Sequence, residues 1–593
     1  MIGSLVKNHR SVLAILAAIV GAICGLASIL FQLCIEGWTW VMTGYFNYSA
    51  HAGAAHGKLG LSPWFLLFVP IISGLLYGPL IQKWAPTARG HGVPEIMLAV
   101  RRKGGQIPGQ VALVKIIGSA LTLGGGGSVG REGPIAQVGA ALGSAIAQRT
   151  GLPTSRVVLL AGCGAGAGVA ATFNAPLAGA LFALEVILVN FTAETFGMAV
   201  VASVASSTVA HAMWGNAPIV DLPLILDLPS TTMLPVTMLV GVIAGLGGLL
   251  FSKMLYGTES LVDKIYRGPE WARPALGGML LGIMLFAFPH MFGDGGPIRT
   301  QMLLGDYSLV FLLALVVGRM WFTSFTIAIG GSGGVFAPSL FIGAGIGAFV
   351  GQILAPTSPE TIATFGVIGM GAAFAGAARA PITAVLIIVE MTGQYALILP
   401  VMLAVAIAVG VSRFLTRETI YTAKLIRRGD RLDEPVDRTL VGRMSARELM
   451  EPIPLTVTTN DTISTTLRLL HSSGETSAVV IDTDGKYYGI ATALPLIRAK
   501  NLEGARVVGQ ASLDTSHVFA EDLPSAVLAT ILDSRMDAVP VLDGKQPIGW
   551  ISQHALVRRM YREQRRALAA GQQSSWGSRW IERHPGAAKY FGK

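Results

Sequence analysis

The chain has 593 residues, of which 52% are hydrophobic and only 13% carry a charged side chain, and its mean hydropathy is +0.59. A water-soluble domain has roughly a quarter of its residues charged, so most of this chain is expected in lipid. The net charge of +10 does not argue for nucleic acid, because the excess gathers in "RFLTRETIYTAKLIRRGDR" (413–431) and "RRMYREQRRALAAG" (558–571), beside and beyond the last apolar stretch.

In chain order, "MIGSLVKNHR" precedes a long apolar run with no small-residue cleavage site, so an uncleaved first membrane helix is expected. Apolar stretches lie at about 12–34, 64–82, 111–125, 134–147, 156–171, 176–190, 196–213, 233–256, 272–293, 308–328, 338–355, 363–376, 380–391 and 396–415. A straight crossing needs ~20 apolar residues. Several of these stretches are shorter and end in Gly or Pro clusters, the pattern of broken helices buried in protein or lining a cavity. Cys24, Cys34 and Cys163 all fall in apolar segments, with neither metal spacing nor a disulfide framework. Lys and Arg near the last membrane exit favour the cytoplasmic face, which puts the C-terminal part inside the cell.

The 73 glycines allow close helix packing, and some of them fall in register. "GGSVGREGPIAQVGAALG" (126–143) aligns with "GGSGGVFAPSLFIGAGIG" (330–347) at a constant offset of 204, and "NAPLAGALFALE" (174–185) with "RAPITAVLIIVE" (379–390) at 205. Ser128 meets Ser332, Gly130 meets Gly334, Pro134 meets Pro338 and Glu185 meets Glu390. A shared order of Ser, Pro and Glu points to a duplicated membrane domain whose broken helices meet at a site between the halves.

Within the first repeat, Arg131 and Glu132 stand in small, apolar surroundings. Ionised groups at membrane depth are expensive and mark a pathway or site. "GHGVPE" (90–95), "GREGP" (130–134) and "GGSGGVFAP" (330–338) read as helix starts. A helix start offers free N–H groups and partial positive charge, so it holds an anion without a full cation. Each alone is also a tight turn or packing motif; three converging would make an anion path whose binding is weak enough for conduction.

From about residue 444 the pattern changes. "LTVTTNDTISTTLRLLHSSGETSAVVIDTDGKYYGIAT" reads strand, helix, strand, turn, strand, and "TSHVFAEDLPSAVLATILDSRMDAVPVLDGKQPIGWIS" repeats it at an offset of 59–60. A tandem of small α/β modules is expected.

With "GREGP", "GGVFAP", "GHGVPE" and "FNAPLAGALFALE" before such a tandem, the chain resembles the CLC family of chloride channels and chloride/proton antiporters from about residue 12 to 566. The resemblance implies a mainly α integral membrane protein of two pseudo-symmetric inverted repeats with broken and re-entrant helices, followed by a cytoplasmic α/β pair of CBS domains. It implies a homodimer with one anion pathway per subunit. The expected ranges are a transport domain 1–430, a linker 431–443, CBS domains 444–500 and 501–566, and a basic tail 567–593.

Carried over residue by residue, the resemblance makes Glu132 the gating, proton-linked carboxylate, which takes the anion's place when ionised. His91, Gly92, Gly130, Gly334, Val335, Phe336 and Tyr421 fall on anion-binding positions, Val335 and Phe336 through backbone N–H groups and Tyr421 through its hydroxyl. An aromatic such as Tyr421 also serves as an interfacial anchor. Arg131 fixes the loop, tunes the outer entrance or forms a structural ion pair. His91 stands where the family most often has serine, and is either an anion ligand or a structural histidine.

Glu185 matches the first of two adjacent glutamates common in the antiporters, and Val186 replaces the second, the inner proton-transfer group. This inclines the reading toward a passive chloride channel gated by Glu132, with coupled chloride/proton antiport as the alternative. A CBS-regulated cation or metal transporter is the reading from another class; its acidic sites would have to be Glu132, Glu185 and Glu390. No metal-ligand cluster or nucleophile–base set points to an enzyme. No cofactor is expected beyond chloride as substrate, since Pro495 and Ala555 replace the ribose-binding Asp of a nucleotide-binding CBS pair. The lipid bilayer, a second copy and chloride, with protons in the antiport reading, are the expected partners, and a multi-pass place in the plasma membrane is the expected location.

Overall fold

The computed structural model describes residues 10–51, 64–215, 217–228, 230–430, 445–502, 505–522, 524–534, 536–556 and 558–559. The expected linker 431–443 and tail 567–593 lie outside the described residues. Two compact units divide between Leu432 and Asp433, and each is taken by itself.

Among the described residues of the first unit, nine helices are long and apolar enough to cross a membrane, and four shorter apolar helices accompany them: Gln110–Gly124, Pro176–Leu188, Arg273–Ala287 and Pro381–Thr392. The helix Leu234–Ile265 has 32 residues, ~48 Å, which exceeds the ~30 Å hydrocarbon thickness and is accommodated by tilt. Every apolar stretch of the sequence contains helix. The stretch 176–190 is interrupted: an α-helix Pro176–Phe182 passes into a π-helical turn Ala183–Leu188 that carries Glu185 and Val186. Three helices lie outside these apolar stretches: Val93–Arg102, whose start "GHGVPE" marks, Gly296–Leu304 and Thr422–Arg427.

The duplication is visible as repeated contacts. Helix Glu132–Arg149 packs on Thr154–Phe173, and helix Phe336–Leu354 packs on Pro359–Ala378. A Cβ on Gly139 would lie 2.0 Å from the Gly164 carbonyl oxygen, and one on Gly343 would lie 2.2 Å from that of Gly369. These backbones touch directly, as small-residue crossings in lipid allow. Helices Thr154–Phe173 and Pro359–Ala378 end on Asn174 and Arg379, both in the left-handed region at φ 53° and 54°.

The halves also complete one another. Glu185, from the first repeat, accepts from Ile382 N (3.2 Å) and Thr383 N (2.8 Å) at the start of helix Pro381–Thr392. Glu390, from the second, accepts from Leu177 N (3.1 Å) and Ala178 N (2.8 Å) at the start of helix Pro176–Phe182. A carboxylate on the free N–H groups of a helix start satisfies donors that lipid cannot.

The second unit holds two three-stranded sheets. In the first, β1 (Thr456–Thr458) runs parallel to β2 (Ser477–Ile481), and β2 antiparallel to β3 (Tyr487–Thr492). In the second, β4 (Val518–Phe519) is parallel to β5 (Ala538–Asp543), and β5 antiparallel to β6 (Gln546–Ser552). Helices Ile463–Ser473 and Pro524–Ser534 make the two crossovers. Gly485 and Gly544 close the hairpins at φ 78° and 62°, conformations that glycine adopts without strain. Val479, Ile490, Ala538 and Trp550 form the apolar seam between the repeats.

Gly139→Val and Gly343→Val are each expected to abolish a monodisperse peak in size-exclusion chromatography of detergent-extracted protein. Gly37→Val, where a Cβ would meet nothing within 4 Å, serves as the tolerated control. Glu185→Ala and Glu390→Ala are expected to destabilise the membrane unit by about 1–2 kcal/mol each, the scale of a lost helix cap. Matched falls in Tm would bear this out; a fall in one variant alone would contradict the reciprocal arrangement.

Candidate functional site

Three glycine-rich loops meet in the middle of the first unit and hold each other by backbone bonds. Gly90 N donates to Gly331 O (3.1 Å) and Gly333 N to Gly90 O (3.3 Å); Gly130 N donates to Gly334 O (2.8 Å) and Gly334 N to Gly130 O (2.6 Å). Side chains fill what remains. Lys115 Nζ, fully buried, donates to Ala88 O (2.8 Å) and Gly90 O (2.7 Å), and Ser332 Oγ also donates to Ala88 O (2.8 Å). Since Ser332 has given up its proton, Ser119 Oγ is the donor in its 2.8 Å bond with Ser332 Oγ.

From these loops start helices Val93–Arg102, Glu132–Arg149 and Phe336–Leu354, and none has a side-chain cap. Helices starting elsewhere, at Ala193 and Pro359, are capped by Thr192 and Ser358. The three central starts, like many other helix starts of this unit, thus keep first-turn N–H groups that no capping side chain takes. Gly92, at φ 81°, has Gln137 Oε1 2.8 Å from where a Cβ would stand, so a side chain there would close the junction.

Two cavities flank Glu132. A vestibule of about 340 Å³ is lined on its polar side by Gln32, Glu36, Arg131, Asp294 and Arg299. A space of about 10 Å³ is lined by His91, Val93, Gly133, Val169, Phe182, Val335, Phe336 and Tyr421, room for about one water-sized sphere. Among the described residues, Glu132 alone lines both. It is 4% exposed, and its Oε2 has no hydrogen-bond partner among the described residues. That oxygen lies 2.2 Å from where a Cβ on Gly130 would be, so only glycine leaves room for it. The Phe336 ring is wedged against Phe374 (centroids 3.9 Å) and Phe173 (5.0 Å).

The expected site residues are thus largely brought together. Glu132, His91, Val335, Phe336 and Tyr421 share the small cavity, and Gly92, Gly130 and Gly334 supply the loops that shape it. Tyr421 is 2% exposed and its ring lies 6.2 Å from that of His91; it is an interior residue, not an interfacial one. Arg131 points away from the small cavity, hydrogen-bonding Gln32 Oε1 on the vestibule wall, and makes no ion pair among the described residues. Glu185 is engaged in its cap, and Val186 is buried in the π-helical turn, lining neither cavity.

His91 has a partner the sequence did not single out. Its Nε2 lies 3.1 Å from Tyr256 Oη, and Tyr256 Oη itself donates to Ile420 O. A carbonyl only accepts, so the Tyr256 proton is committed and Nε2–H of His91 is the donor. Neutral His91 then carries a lone pair on Nδ1, which is buried without a hydrogen-bond partner among the described residues. Two ammonium groups stand nearby: that of Lys115 on Gly90 O, and that of Lys424, which lies 2.6 Å from where a Cβ on Gly90 would be. Lys115 and Lys424 had no motif to announce them; only the fold shows that both are buried.

A family model described as voltage gated chloride channel matches residues 73–413, and one for a CBS domain matches residues 446–494. The chain is 33% identical over 443 residues to the H(+)/Cl(-) exchange transporter ClcA of Yersinia pseudotuberculosis serotype IB (strain PB1/+), covering 72% of this chain and 90% of that protein. A solved structure of a slow cyanobacterial Cl-/H+ antiporter superposes with a TM-score of 0.62 at 25% identity, over 71% of this chain and 98% of its own. A eukaryotic CLC transporter, 20% identical, shares the fold at a TM-score of 0.61 over 92% and 97% of the two chains. With its laced helix starts and paired repeats, this multi-pass chain belongs to the voltage-gated chloride channel, or CLC, family.

Proposed function

We propose that this protein exchanges chloride for protons across a membrane, with Glu132 as the group that both gates the anion and carries the proton. The observation that carries the reading is that Glu132 alone lines both the vestibule and the small cavity. A buried carboxylate with an unpartnered oxygen in a niche of helix starts occupies the place an anion would take, and protonation removes its claim to it. Val186 inclined the sequence toward passive conduction. The 33% and 25% identical relatives are both exchangers, which supports exchange over the channel. A cation carrier is disfavoured, because Glu185 and Glu390 are engaged at helix starts and the described residues hold no metal-binding group of His, Cys, Asp and Glu.

His91 supplies a second proton-linked contact in this reading. Neutral His91 offers a lone pair at Nδ1, which repels an anion; protonated His91 offers N–H, which binds one. Protonation close to Lys115 and Lys424 is unfavourable without a counter-ion, and an anion at a lone pair is unfavourable without the proton. Each therefore favours the other, and the coupling is reciprocal.

The CBS pair is read as a platform for dimerisation or gating rather than a nucleotide sensor. Pro495 and Ala555 take the ribose-binding positions, and Ser552 Oγ accepts from Ala555 N (3.0 Å). The homodimer, the plasma membrane and the cytoplasmic place of this unit follow from the family resemblance and the basic residues at the membrane exit.

In liposomes of the purified full chain, an imposed chloride gradient is expected to drive protons uphill; chloride flux without proton movement would establish a channel. Glu132→Gln is expected to keep chloride flux and lose proton movement, and proton movement surviving in it would remove Glu132 from that role. In the Glu132→Gln background, chloride binding by calorimetry is expected to strengthen as pH falls below the range in which an ordinary histidine takes up its proton, because Lys115 and Lys424 oppose the charge on His91. Adding His91→Ser should flatten that dependence; an unchanged slope would make His91 purely structural.

A further inference from the structure

The vestibule contains a guanidinium that nothing in the fold accounts for. Arg299 lies in the first turn of helix Gly296–Leu304 and is 6% exposed. Its Nε has no hydrogen-bond partner, and no hydrogen bond or ion pair of its side chain is found among the described residues. The other charged groups around it are engaged. Arg131 bonds Gln32, Glu36 accepts from Gln32 Nε2 (2.7 Å), and Asp294 Oδ1 accepts from Gly296 N (3.1 Å). Arg319, behind the wall, donates to Gly293 O (2.9 Å) and Asp294 O (2.5 Å), which fixes the loop without help from Arg299.

A positive side chain at a helix N-terminus opposes the helix dipole, and a buried cation is costly unless it is paired. Arg299 nevertheless lines the vestibule. The acidic groups in its field are Asp294 and Glu132, with Arg131 opposing. While Glu132 is ionised, the cations Arg131, Arg299 and Arg319 balance the anions Glu36, Asp294 and Glu132. Once Glu132 takes a proton, the balance leaves one positive charge without a counter-charge, at the wall of the vestibule.

We propose that Arg299 is the ligand of an outer anion-capture site, which takes a small monovalent anion of the chloride class in the vestibule when Glu132 is neutral. The site lies before the small cavity in the path and rests on the anion-transport reading. It would load the anion next to Glu132 as the proton arrives, so that carboxyl displacement and anion entry come from the same side. A planar fork of donors suits such capture, because the charge is fixed while several N–H directions remain open.

The test uses the full chain in liposomes, with chloride varied separately on each side. In Arg299→Gln the apparent KM for chloride on the vestibule side is expected to rise roughly tenfold, the scale of one lost charged hydrogen bond, and that on the opposite side to stay put. Arg299→Lys, which keeps the charge, should recover most of the loss. No rise, or an equal rise on both sides, would overturn the proposal. A separate readout does not depend on transport: crystals of Glu132→Gln soaked in bromide should give an anomalous peak within hydrogen-bond reach of Arg299. Absence of that peak would overturn the site even if exchange is confirmed. A peak in a protein that moves no chloride would keep the site and sink the exchange reading instead.

Discussion

The membrane unit is organised around one reciprocal contact: Gly130 and Gly334 exchange two backbone hydrogen bonds across the junction of the two repeats. Irregular backbone at membrane depth has no water to satisfy it. The loops can leave helical geometry there because each supplies the other's donors and acceptors. Gly90 and Ser332 extend the same pairing to the third loop. The helix starts that follow the three loops carry no side-chain cap. In the proposed exchange, these starts are the donor groups that a mobile anion would meet.

Charge is managed by the same economy. Among the described residues, no Lys or Arg lines the small cavity, where a strong ligand would hold the ion too tightly to release it. Lys115 is turned back onto the Ala88 and Gly90 carbonyls, so its charge reaches the site through the loop it braces. In the proposed exchange, Glu132 serves because it resembles what it displaces. A carboxylate is satisfied by helix-start N–H groups as an anion is, and a neutral carboxyl is not. Proton and anion thereby compete for one arrangement of dipoles.

Much of this was legible in the sequence because the chemistry is written in small residues and prolines. The offset of 204 between the two loops named the partners Gly130 and Gly334 before the structure joined them, and Gly-Pro punctuation fixed where the central helices begin. The short helix Gly296–Leu304 was not legible, since "GPIRTQMLL" carries little apolar periodicity. Nor was Tyr256, whose meaning depends on a carbonyl 164 residues away. Pairings between distant side chains and backbone leave no periodic trace. The direction of Arg131 was undecided in the sequence for the same reason: its partner, Gln32, is an uncharged residue on another helix.

The crossed carboxylates carry a consequence for how the chain is made. The N–H groups of Leu177 and Ala178 meet Glu390, which follows them by 213 and 212 positions. During synthesis the first repeat is therefore inserted with one helix start still waiting for its acceptor. It receives that acceptor only when most of the second repeat has left the ribosome. The Glu185 carboxylate waits likewise for Ile382 and Thr383. Each half thus completes a helix start of the other, and neither set of caps is in place until both halves have been made.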